Sequence, residues 1–140
     1  MSEGSKNKTQ KLEKRVKDLE SELLSLKESQ KKYKSLFELS DDAIMVLSEN
    51  KFIEINEAVL KMFGFKQKKD ILNIHPSEIS PKKQPDGKNS WKKAEKMIAL
   101  AVKNGSHHFE WIHTRANGEP FPAEVWLSRV DMDDKIFVNA

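Results

Sequence analysis

The 140-residue chain contains no cysteine. That excludes disulfide staples, thiolate metal sites and thiol nucleophiles, and it fits a reducing compartment. Glycine and proline number five each, and no internal repeat or low-complexity tract appears. No apolar run approaches the ~18 residues of a membrane span. The opening Met1-Ser-Glu-Gly-Ser lacks the apolar centre of a secretory signal. These absences lead to the expectation of a cytoplasmic chain. The net charge of +3 is unevenly spread. Residues 1–35 hold ten Lys/Arg against six Asp/Glu, whereas residues 36–140 hold fifteen against sixteen. The basic balance therefore belongs to the front of the chain and gives no reason to expect nucleic acid as a partner.

That front segment has a pattern of its own. After a stretch of 1–8 expected to be disordered, Leu12, Val16, Leu19, Leu23 and Leu26 step by four and three. This is a heptad seam with Val16 and Leu23 at a, and Leu12, Leu19 and Leu26 at d. Gln30, Tyr33 and Phe37 continue the step, so residues 9–37 are expected to form one coiled-coil helix. In a parallel, in-register dimer, Lys8 meets Glu13, Arg15 meets Glu20, and Glu22 meets Lys27. All three pairs attract, each by only ~0.2–1 kcal/mol. An antiparallel pairing would oppose Arg15 to Arg15. A parallel homodimer follows as the expected assembly.

Residues 38–140 read as one domain. Ala43-Ile-Met-Val-Leu and Phe52-Ile-Glu-Ile form two short strands around a turn at Ser48–Lys51. Asn56 follows at once and has the place of a helix N-cap, worth ~0.5–2 kcal/mol against alanine. Glu57–Phe63 is the helix that it opens, and Gly64 is the stop. A helical turn is expected near Lys69–Asn73 within an irregular stretch of 66–88. Then Ser90 or Asn89 caps a longer helix with Trp91, Ala94, Met97, Ile98 and Ala101 on its inner face. Around Ala116-Asn-Gly-Glu, Asn117-Gly118 signals a tight turn with two positive φ values. Phe109, Trp111 and His113 alternate before it, and Phe121, Ala123, Val125 and Leu127 after it. Pro120 and Pro122 fall at a strand start, where a missing N–H is tolerated. Lys135–Val138 supplies a third strand. The expected fold class is α+β, a five-stranded antiparallel sheet with helices on one face. On this alternation Val125→Asp is expected to unfold the domain, with Glu124→Lys nearly silent. Trp126 lies on the opposite face and needs cover, which Tyr33, Leu36 and Phe37 of one copy or the other are expected to supply.

Several short segments, in order, resemble one family. They are Tyr33-Lys-Ser-Leu-Phe-Glu-Leu-Ser-Asp-Asp-Ala-Ile, Ile55-Asn-Glu-Ala, Met62-Phe-Gly-Phe, Ser80-Pro…Gln84-Pro-Asp-Gly, Phe109-Glu-Trp and Asn117-Gly-Glu-Pro-Phe-Pro-Ala-Glu-Val. Together they resemble the PAS domain, a sensing module of bacterial and archaeal regulators such as sensor histidine kinases. The resemblance implies a non-enzymatic sensor joined, in a larger protein, to an output domain such as a kinase or diguanylate cyclase. It also implies an apolar pocket, for which the candidates are Ile44, Val46, Met62, Phe63, Ile98, Phe109, Trp111, Val125 and Leu127.

The family's cofactors can be weighed against these residues. A covalent flavin adduct needs the cysteine that is absent, and no His occupies the long helix where haem-binding members place one. Haem through His75 and a non-covalent flavin stay open on these residues; the leading expectation is no cofactor, with either a small organic ligand in the pocket or a core simply filled. His107 and His113 share a face but lie about 20 Å apart along a strand, too far to hold one metal. His75 sits in a loop before Pro76. No nucleophile, base and orienter converge, so no catalytic residue is assigned. The functional readings are a sensing and dimerisation module, or a purely structural interaction module that transmits signals without a ligand.

Overall fold

The computed structural model describes residues 2–140. It divides into two compact units, residues 1–37 and 38–140. The first unit is most of α1, Glu3–Leu39. The helix starts six residues before the expected 9, inside the segment 1–8 expected to be disordered. The reason is local: the Ser2 carbonyl accepts from the Ser5 and Lys6 amides at 3.1 and 3.2 Å, and Glu3 places an acid in the first turn. No residue of α1 is buried, and the whole apolar seam is exposed.

In the second unit β1 (Met45–Ser48) and β2 (Lys51–Ile55) form a hairpin turned by Glu49 and Asn50, both at positive φ. α2 (Glu57–Phe63) follows, capped by Asn56 and ended by Gly64 at φ 78°. Two single-turn 3-10 segments, Lys68–Asp70 and Pro76–Ile79, lead to α3 (Ser90–Asn104). Asn89 is the cap of α3, its side chain accepting from the Lys92 amide at 3.1 Å. Strands β3 (Ser106–Thr114), β4 (Pro120–Met132) and β5 (Lys135–Asn139) complete a five-stranded antiparallel sheet of order β2-β1-β5-β4-β3.

The β3–β4 pairing sets Phe109 against Val125, Trp111 against Ala123, and His113 against Phe121. These are the residues that period-two alternation placed on one face. The turn between the strands differs from the expected two-residue turn. The Gly118 amide donates to the Arg115 carbonyl at 2.9 Å, the Arg115 amide to the Glu119 carbonyl at 2.8 Å, and only Gly118 has positive φ. A type I turn with a glycine bulge therefore replaces the tighter form. The bulge turns the Ala116 amide onto the Phe63 carbonyl at 2.8 Å and ties the hairpin to the end of α2.

The core gathers Leu47, Phe52, Ile55, Val59, Phe63, Ile71, Ile79, Ile98, Ala101, Leu127 and Val138. Trp91 is not part of it: on α3 the buried residues are Ser90, Ala94, Ile98 and Ala101, and Trp91 is 52% exposed. Its ring instead stacks on His75 at 5.1 Å. β3, an edge strand, is sealed at Ile112 by a side chain rather than a strand. The Gln84 amide accepts from the Ile112 N–H at 2.9 Å and donates to its carbonyl at 3.1 Å. Gln84 is only 3% exposed, so both bonds are shielded from water.

Candidate functional site

A half-open cavity of about 680 Å³ is lined by α3, β3, β4 and residues 41–45, and it includes the exposed Glu124, Trp126 and Ser128. Small side chains make the room: Ala94 on α3 and Ala123 on β4 both line it. Eight of the nine apolar pocket candidates meet there, namely Ile44, Met62, Phe63, Ile98, Phe109, Trp111, Val125 and Leu127. Val46 does not. Met45 and Leu47 are the buried residues of β1, and Val46 lies on the other face, paired with Glu54. Ala43 to Leu47 is an unbroken apolar run, so its sequence carries no phase from which to choose the inward residues. Met97, His113 and Phe121 line the cavity too; helical spacing on α3 for Met97, and strand alternation for His113 and Phe121, was the signal that could have found them.

Two polar groups of this cavity, on Trp111 and Arg115, turn toward the protein itself. The Trp111 indole N–H donates to Ser80 Oγ at 2.9 Å. Arg115 donates to the Met62 carbonyl and lies over the Phe121 ring, 4.2 Å from its centroid. His113 packs edge-on against Phe63, with centroids 4.9 Å apart.

A second cluster lies outside the cavity. His75 Nδ1 accepts from the Ser77 amide at 3.1 Å, and Ser77 Oγ is 2.9 Å from the same nitrogen. The ring proton is thereby assigned to Nε2, which is 2.8 Å from Glu95 Oε1. Asn50 also donates to Glu95. A serine, a histidine and a glutamate in a row have the outline of a hydrolytic triad. Here the amide of Ser77 itself occupies the histidine lone pair and Trp91 covers the ring face, so the row acts as a joint. It ties the β1–β2 turn and the Pro76–Ile79 turn to α3. A further joint binds the last turn of α1 within the second unit, where Lys68 pairs with Glu38 and lies 4.0 Å from Glu57. Among the described residues, no group of three or more His, Asp or Glu is placed to hold a metal ion.

A family model described as PAS domain matches residues 41–140. The chain belongs to the PAS domain family. PAS domains are sensory modules of signalling proteins, generally without catalysis of their own. Among solved structures, the PAS domain of an HTR-like protein from Haloarcula marismortui superimposes with a TM-score of 0.72 at 19% identity, over 86% of this chain and 94% of that one. A PAS domain from a two-component sensor histidine kinase gives 0.61 at 16%, over 79% and 94%. The PAS domain of nitrogen regulation protein NR(II) from Vibrio parahaemolyticus gives 0.59 at 14%, over 75% and 90%. No curated protein sequence matches the chain.

His113 gives this PAS domain a built-in acid sensitivity. Burial pushes its imidazole from the usual 6.5 down to about 4, opposed by a hydrogen bond to the Ile79 backbone. Its Nδ1 is buried without a partner. Below pH 6.5 the unfolded chain takes up a proton that the folded chain refuses. The stability tied to the neutral ring is thus complete above pH 6.5 and is lost as pH falls toward 4. The full loss is about 3 kcal/mol, with about 2 kcal/mol already gone at pH 5. Urea unfolding at pH 7 and pH 5 checks this. His113→Leu is expected to reduce the stability difference between the two pH values by about 2 kcal/mol. An unchanged difference would assign the acid response to other groups.

Proposed function

We propose that this PAS domain is the sensing and dimerisation module of a signal-transduction protein, passing a ligand or conformational input to an output domain. The observation that carries the assembly part is the seam on α1. Leu12, Val16, Leu19, Leu23 and Leu26 form one apolar stripe, and each is at least 45% exposed in the single chain. A stripe of that period finds cover in a second helix of the same kind. The flanking charges favour a parallel homodimer, as worked out above. In such an assembly, a changed crossing of two helices is a bistable element of the kind that switches use.

The test is the oligomeric state of the intact chain. Leu19→Lys with Leu23→Lys is expected to turn a dimer into a monomer at tens of micromolar in light scattering. The thermal midpoint of the PAS unit should stay where it is. A wild-type chain that is monomeric at that concentration removes α1 from the mechanism.

One observation favours a second reading, an interaction module that transmits without a ligand. Trp111 and Arg115 direct these donors at the protein's own groups and so do not offer them to a ligand. Native mass spectrometry of the purified chain separates the two readings. A reproducible small-molecule adduct on the folded chain supports sensing by ligand, and the bare mass on every preparation supports transmission alone.

A further inference from the structure

Charge in the PAS unit is segregated along the chain. Residues 61–103 hold eleven lysines and no arginine against four acidic side chains, whereas the rest of residues 38–140 holds four basic against twelve acidic. All four acids of the basic stretch are engaged inside the unit. Asp70 accepts from the Gln67 amide at 3.3 Å, and Glu78 from the His75 amide at 2.7 Å. Asp86 pairs with Lys93 at 3.0 Å, and Glu95 is held by His75 and Asn50. Among the described residues, only Lys68 and Lys93 of the eleven lysines have a carboxylate within ion-pair reach. The other nine are exposed and unpaired.

Six of these nine belong to α3 and the turn before it. Lys92, Lys96 and Lys103 step by four and seven, which sets them on one side of the helix along about 16 Å. Lys82, Lys83 and Lys88 precede them, in a turn closed by the Ser90 amide on the Lys82 carbonyl at 2.9 Å and by a bridge between Lys83 and Asn89. The first turn of α3 has no acid, although the start of a helix favours one, so nothing local offsets this charge. The apolar side of α3 is spent on the core, with Ala94, Ile98 and Ala101 buried, and no apolar face is left to enter a lipid surface. A long polyanion such as nucleic acid fits less well. The patch has no arginine fork to grip phosphate through two bonds, and the rest of the unit is acidic and repels it. A short run of carboxylates suits a patch of this length. We infer that the lysine face of α3 is a docking surface for an acidic segment of a partner protein, with several Asp or Glu within about 16 Å. This surface is distinct from the α1 seam and needs no ligand in the cavity.

The probe is acetylated, amidated octaglutamate, added to the intact chain and followed by amide chemical shifts in NMR. Saturable shifts are expected at Lys92, Lys96 and Lys103 and at Lys82, Lys83 and Lys88. Raising the salt from about 20 mM to about 200 mM should weaken binding about tenfold or more. The triple variant Lys92→Gln, Lys96→Gln, Lys103→Gln, at exposed positions, should bind the peptide about fivefold or more weakly while the thermal midpoint holds. Lys11→Gln, Lys17→Gln, Lys31→Gln on α1, which is also basic, should leave the affinity unchanged. No saturable shift at low salt, shifts confined to α1, or full affinity in the α3 variant overturns the inference. So does tighter binding, through the same lysines and at the same salt, of a DNA duplex of about twelve base pairs or of vesicles made from equal parts phosphatidylglycerol and phosphatidylcholine.

Discussion

Replacing Asn56 by alanine is expected to cost about 3–5 kcal/mol, and replacing it by aspartate nearly as much. A helix cap alone would give less for alanine and almost nothing for aspartate. The difference lies in the other bonds of the side chain. Oδ1 accepts from the Val59 amide at 3.3 Å, which is the cap, and from the Ile44 amide at 3.0 Å. Nδ2 donates to the Asp42 carbonyl at 2.9 Å. Asn56 is fully buried, so water does not replace what is lost. Alanine strands the Ile44 N–H and the Asp42 C=O, at about 1–3 kcal/mol each. Aspartate keeps the two acceptor bonds but turns a carboxylate oxygen toward the Asp42 carbonyl, with no proton to share and no solvent around it. Urea unfolding of the two variants beside the wild type measures this directly. If aspartate proves as stable as asparagine, the bridge to Asp42 has no weight and Asn56 is a simple cap.

The same residue shows where sequence reading succeeds and where it stops. A cap is a local device, set by a strand on one side and a helix on the other, and both were written in the spacing around Asn56. Its bonds to Asp42 and Ile44 span 14 and 12 residues, and nothing in the local pattern points to them. The inward faces of β3 and β4 were legible because the side chains alternate. Val46 was misplaced because its run does not. Trp91 has the right period for the inner face of α3, yet it stands in the first turn, where His75 rather than the core offers it a stacking partner. The Gln84 seal on Ile112 spans 28 residues and depends on which strand lies at the edge, which only the assembled sheet decides.

Leu127→Asp is expected to unfold the PAS unit at room temperature, a loss of about 4 kcal/mol or more. Leu127 is 3% exposed and belongs to the central apolar cluster, where an unpaired carboxylate meets neither water nor a cation. Val125→Asp is two residues along on the same face, and from alternation alone it should be equally severe. The structure separates the two. Val125 is only half-buried, so a carboxylate there reaches solvent, and the expected loss falls to about 1–2 kcal/mol. Glu124→Lys, on the outward face, should stay within about 0.5 kcal/mol of wild type. Thermal unfolding of the three variants in one buffer tests the series. A Val125→Asp chain as unstable as Leu127→Asp would mean that Val125 is shut away from water in solution, because a carboxylate costs that much only there.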